Sequence, residues 1–166
     1  MSTTPYGRMQ LANLPLAELI RFGDRLFIED PEIEAQHQEI FKLGCNVYEN
    51  WRGGGSLDVL RPAVEKLSNL IHTHFSFEER ILSGIGYEDL RSHAAEHRRM
   101  RDELSIMNEQ FNVITNGEKA GSPSLLDPGW SIMQFVLGFS IGHVASCDMA
   151  YNQALIASRD QARTSA

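Results

Sequence analysis

Five histidines and two carboxylates of this 166-residue chain stand at spacings that suit helices. His74 and Glu78 are four residues apart, as are His93 and His97; His143 precedes Asp148 by five, and His37 stands alone upstream. An α-helix turns by roughly 100° per residue, so side chains four apart share a face. Each group also lies on an apolar stripe. His37 runs with Ile33, Ile40, Phe41 and Gly44, and His74 and Glu78 run with Leu67, Ile71 and Ile81. His93 and His97 run with Met100, Leu104 and Met107, and His143 runs with Val136, Phe139 and Cys147. Apolar stripes face a core, so all seven side chains should converge inside it.

Buried carboxylates without a partner cost several kcal/mol each. Lysine and arginine are nearly absent from these stripes, so ion pairs do not supply the partner. Two divalent metal ions would: their four positive charges are largely cancelled by the two carboxylates and a bridging hydroxide. Imidazole with carboxylate suits iron. A tetrahedral zinc uses four ligands, so seven point to two ions of higher coordination number. Taken singly, the signals are weak. A lone histidine such as His37 is ordinarily a polar side chain with a satisfied hydrogen bond, and HxxxH or HxxxE alone says little. Five of the six histidines on apolar helical faces is a different matter. His72 falls on another side and is left out of the set. Glu79 and Glu96 point outward by their angles, toward solvent or an outer shell around the ligands. Cys147 has no partner motif for a catalytic thiol, and the Met100 and Met107 stripe reads as core filling.

The elements that must position these groups can be read from caps and breakers. Asp30–Pro31 opens a first helix, predicted over about 31–51 and stopped by the glycines of "WRGGG". A second helix opens at Ser56 or Asp58, with Pro62 in or near its first turn, and "SGIG" ends it near residue 83. A third is predicted from near Tyr87 to Gly117, which stands as a capping glycine. After the long loop "NGEKAGSPSLLDPG", Asp127–Pro128 opens a fourth over about 128–158. Residues 1–30 read as an N-terminal extension packing on the bundle, with a short helix possible in "LPLAELIRFG", and 159–166 read as a flexible tail. No stretch alternates as strands do. The fold class is all-α, an up-down-up-down four-helix bundle.

Composition limits the rest. The net charge of −7 argues against a nucleic-acid surface, which needs a basic stripe. No apolar run reads as approaching the length of a membrane span, and the first residues lack the pattern of a secretory signal. The two cysteines, Cys45 and Cys147, form no CxxC pair. The expectation is a reduced, cytoplasmic protein.

The order His, HxxxE, HxxxH, HxxxxD is that of hemerythrins. Here it stands as His37 in "QHQEIF", "HFSFEE" from His74 through Glu78, "HAAEH" from His93 to His97 after the Gly86–Tyr87 pair, and "HVASCD" from His143 to Asp148. The chain resembles bacterial hemerythrins over about residues 20–155. The resemblance implies two iron ions (Fe2+/Fe3+), the first held by His93, His97 and His143 and the second by His37 and His74. Glu78, Asp148 and an oxo or hydroxo group would bridge them. It further implies an open position on the second iron where O2 binds reversibly, in a pocket of Ile40, Phe75, Phe139, Ser140 and Val144. Ser140 is the polar member of that pocket. Its hydroxyl either bonds back to the helix carbonyl four residues earlier or admits a water.

The sequence departs from the family before the first helix. Phe22 and Phe27 stand where a tryptophan is usual, and Glu34 stands where an aspartate is usual. The seven-residue set favours an O2 carrier, store or sensor. A diiron enzyme acting on peroxide or nitric oxide, an iron-handling protein and a plain helical interaction module are the competing classes. The spacing also predicts a local distortion near Ser146. On a regular helix, five residues put His143 and Asp148 roughly 140° off a common face. A π-type turn would bring the two together.

Overall fold

The computed structural model describes residues 26–115 and 128–164, and among them every regular element is helical. Helix α1 spans Pro31–Arg52, α2 Leu57–Gly84, α3 Leu90–Thr115 and α4 Pro128–Leu137. A π-helical segment, Gly138–Asp148, continues α4 into α5, Met149–Thr164. Helix α1 packs against α2 and α4, α2 against α3, and α3 against α4, so the contacts close into a ring.

The caps explain where the helices begin and end. The Asp30 side chain accepts from the backbone N–H groups of Glu32 (3.0 Å) and Ile33 (3.2 Å), with Pro31 as the first helical residue. Helix α2 begins at Leu57 behind Ser56, so Pro62 lies just beyond its first turn. At the other end of α2 the Tyr87 N–H bonds the Leu82 carbonyl (3.0 Å) and the Gly86 N–H bonds Ser83 (3.2 Å). Gly86 has φ +69°, the left-handed conformation this cap requires. That cap uses Tyr87, so α3 starts at Leu90 and not near Tyr87 as the sequence suggested. Helix α5 runs to Thr164, past the expected end near 158. The "LPLAELIRFG" segment, Phe22, Asp127 and the capping Gly117 fall outside the described residues.

Gly44 has a packing reason. A Cβ there would collide with the methyl groups of Val136, so α1 and α4 approach closely only because Gly44 has no side chain. The main core gathers Ile40, Leu67, Ile71, Phe75, Leu104, Ile132, Val136 and Phe139. A smaller cluster of Ile28, Ile33, Leu82, Tyr151 and Leu155 lies at one end.

The segment entering α1 closes that end. Ile28 is fully buried while Phe27 is 56% exposed, so Ile28 is the covering side chain and Phe27 is not. Its backbone is tied down from two sides. Glu34 accepts from the Ile28 N–H (3.1 Å) and from Gln38 (2.8 Å). The Asn152 amide accepts from the Glu29 N–H (2.8 Å) and donates to the Phe27 carbonyl (3.2 Å). Arg159 adds bonds to the Glu29 carbonyl and the Asp30 carboxylate.

One expectation is corrected. The stretch Ser131–Thr164 is long and apolar enough, by length and hydropathy alone, to cross a membrane. Much of it is buried among the other helices, and it carries the buried His143 and Asp148 in its middle.

Candidate metal centre

Each apolar stripe delivers its polar members to one place. His37, His74, Glu78, His93, His97, His143 and Asp148 are all buried, with His74, Glu78, His97 and Asp148 at 0% exposure. Helix α1 supplies His37, α2 supplies His74 and Glu78, and α3 supplies His93 and His97. The π-helical segment supplies the last pair. There the Met149 N–H bonds the Val144 carbonyl five residues back, the wider turn that the five-residue spacing called for. It brings His143 Nε2 to 3.1 Å from Asp148 Oδ1.

These side chains form two groups able to hold a metal ion. One is Glu78, His93, His97, His143 and Asp148; the other is His37, His74, Glu78 and Asp148. In each group the ligand atoms lie within 4.8 Å of one another. Both carboxylates belong to both groups. Asp148 divides its oxygens between them, with Oδ2 at 3.2 Å from His37 Nε2 and Oδ1 facing His143 and, at 3.6 Å, His93. Glu78 Oε2 faces the Nε2 atoms of His97 (3.1 Å), His93 (3.5 Å) and His74 (3.6 Å).

The hydrogen-bond pattern fits a cation. Both oxygens of Glu78, both of Asp148 and His93 Nε2 are buried without a hydrogen-bond partner. Orphaning a buried polar atom costs about 1–3 kcal/mol, so five around one spot call for a ligand. Nitrogens also face each other, His37 Nε2 to His74 Nε2 at 3.2 Å and His97 Nε2 to His143 Nε2 at 2.9 Å. Outer partners set two tautomers. His74 Nδ1 lies 3.1 Å from Gln36 Oε1 and His97 Nδ1 2.8 Å from Glu79 Oε1. An amide oxygen or carboxylate can only accept, so each Nδ1 carries a proton and each Nε2 is the nitrogen turned inward, toward Glu78. Metal-binding histidines are held this way.

Charge follows the same geometry. Burial, against the pull of Glu78, pushes His74 down to about 3, so it is neutral at ordinary pH. Burial also pushes His143 down, but Asp148 beside it outweighs that and carries it up to about 10. Burial and the Asp148 charge raise Glu78, yet the facing His93 and His97 hold it at about 2. Burial likewise raises Asp148, and His143 and His37 hold it well below the usual carboxylate range.

Residues 30–127 match the family model of the Hemerythrin HHE cation binding domain. The chain belongs to the hemerythrin HHE family. The matched residues include His37, His74, Glu78, His93 and His97. His143 and Asp148 lie beyond them, and the fold brings both together with Glu78, His93 and His97. Comparison with curated proteins and with solved structures found no match.

The five side chains of the expected pocket are all buried: Ile40, Phe75, Phe139, Ser140 and Val144. Phe139 stands edge-on to His37 (5.7 Å between centroids) and His74 (5.6 Å), so it walls the four-residue group. Phe75 instead stacks on His97 at 4.0 Å and 15°. His72 is exposed and takes no part. Glu79 takes the outer-shell position that its angle allowed, between His97 and Arg101 (3.1 Å). Arg101 also lies over the face of Phe75. Gln36 and Tyr151 were missed by sequence reasoning. Gln36 neighbours His37 in the chain but serves His74 on another helix, which no local pattern reveals. Tyr151 continues the turn that carries Asp148, and that spacing was its one available signal.

Proposed function

We propose that this chain binds O2 reversibly at a non-haem diiron centre held in an up-down-up-down four-helix bundle. The observation that carries the reading is the sharing of Glu78 and Asp148 by a three-histidine group and a two-histidine group. In this reading His93, His97 and His143 would hold one iron and His37 and His74 the other, with Glu78 and Asp148 serving both. The iron pair, when bound, would supply the electrons for O2, and the two-histidine side offers it fewer protein ligands. The protein excludes water and holds the imidazoles: Phe139 covers the two-histidine side, and Gln36 and Glu79 fix ring orientation. Carboxylate-rich diiron oxidases differ in ligand balance; five imidazoles favour a binder over a catalyst. The short connections Gly53–Ser56 and Ile85–Asp89 support antiparallel neighbouring helices.

The deciding experiment is an absorption spectrum of the reduced, iron-loaded protein before air, after air and after O2 removal. Spectral changes that reverse over several cycles support the reading. Irreversible oxidation in the first cycle, with sustained turnover of peroxide or nitric oxide well above free iron, would replace it by the enzyme reading. Ready loss of iron to a mild chelator would point to iron handling.

A further inference from the structure

Phe75 and Glu79 stand four residues apart on α2, and His97 and Arg101 stand four apart on α3. Residues at that spacing share a helix face, and the two pairs meet between the helices in a closed ring of contacts. His97 Nδ1 donates to Glu79 Oε1 at 2.8 Å, and Arg101 Nη1 donates to the same oxygen at 3.1 Å. The Arg101 guanidinium lies over the Phe75 ring at 5.3 Å, and Phe75 stacks on the His97 imidazole at 4.0 Å and 15°. His97 is therefore held at its edge through Glu79 and on its face through Phe75, and both routes end on Arg101. The His97 side chain is at 0% exposure, whereas Arg101 is at 23% and Glu79 at 30%. A carboxylate that open to water holds an imidazole N–H loosely unless something else fixes it, because water competes for the oxygen and the side chain keeps its rotamer freedom. A guanidinium can fix it and stack at once, since it donates in its plane and packs by its face. An ammonium group can donate but has no such face.

We infer that Arg101 is a positioning residue for His97. It fixes Glu79 against the edge of the imidazole and closes the Phe75 stack on its face, and so sets the direction in which His97 Nε2 turns toward Glu78. Without Arg101, Glu79 is free to turn to solvent and the imidazole is free to rock. The inference rests on the metal-centre reading for its effect on metal affinity but not for the orientation of the ring.

The test separates the two. The His97 Nδ1 proton is read by NMR of zinc-loaded protein labelled at the histidine nitrogens, without iron or O2, and is assigned as the signal that Glu79→Ala removes. Arg101→Met keeps a long stem and removes the charge. In it the proton should exchange with solvent several-fold faster while helix content stays at the wild-type value. Arg101→Lys returns a donor to Glu79 without the stacking face and should fall between the two. Cobalt affinity, measured by chelator competition, should weaken several-fold in Arg101→Met. The loss should be smaller when Glu79 is already alanine, because Arg101 acts through that carboxylate. A side chain that only steadied the surface would lower stability without moving the exchange of one imidazole proton. Wild-type exchange of that proton in folded Arg101→Met overturns the inference, and so does an equal loss of cobalt affinity with and without Glu79. If Arg101→Met does not fold, Arg101→Lys carries the test, and wild-type exchange in it overturns the inference. A slow His97 proton in wild type that Arg101→Met releases, in a protein that fails to bind O2 reversibly, supports the inference and overturns the O2 reading alone.

Discussion

Asp148 Oδ1 lies 3.1 Å from His143 Nε2 although five residues separate the two along one helical stretch. The π-helical segment Gly138–Asp148 makes this possible by bringing i and i+5 onto a common side. With its other oxygen 3.2 Å from His37, Asp148 joins both ligand groups.

The stoichiometry follows from that sharing. Elemental analysis of protein produced with ample iron should give two irons per chain. Asp148→Asn or Glu78→Gln should lose both ions together, because each carboxylate serves both groups. One iron retained at full occupancy in either variant would disprove the bridging assignment.

Glu79 tests the outer shell. It accepts from His97 Nδ1 at 2.8 Å and is itself held by Arg101. Removing such a partner weakens metal binding by about 10–100-fold. Glu79→Ala should lower cobalt or zinc affinity within that range, measured by chelator competition, with the helical signal intact. Glu79→Gln keeps an accepting oxygen and should fall between the two. Affinity in Glu79→Ala equal to wild type would show that the bond is incidental.

Ser140 is a buried hydroxyl among apolar neighbours, one residue after Phe139 and three before His143. If it admits a water near the two-histidine side, Ser140→Leu should slow autoxidation of the oxygenated protein several-fold and leave the diiron spectrum unchanged. An equal or faster rate, with metal content intact, rules this out.

The metal-free chain should be most stable near pH 6.5, for reasons of sign. His74 is lowered from 6.5 to about 3 and Glu78 from 4.5 to about 2. The folded chain therefore binds fewer protons than the unfolded chain in acid, and stability falls as pH drops below about 6.5. His143 is raised from 6.5 to about 10. Its contribution is complete below pH 6.5 and is lost as pH rises through 10. Urea midpoints of the metal-free protein across pH 4–10 should trace this dome. His143→Gln should flatten the alkaline side; an unchanged alkaline fall in that variant would contradict the assignment.

The sequence by itself determined the helical class, the cap at Asp30, and which histidines and carboxylates turn to the core. These are local properties. Helical period places His74 with Glu78 and His93 with His97 whatever surrounds them, and even the π-type turn was legible, because five residues cannot share a face on a regular helix. Tertiary structure alone decided what depends on contacts between helices. It set Asp148 with one oxygen toward each histidine group, and it gave the ring nitrogen of His74 to Gln36 of another helix. It also chose Ile28 over Phe27 to close the bundle end and stood the Tyr151 ring edge-on to His93. Residue spacing carries the angle of a side chain about its own helix axis. It carries nothing about the rotation and offset of one helix against the next, and those distances decide which lone pairs meet.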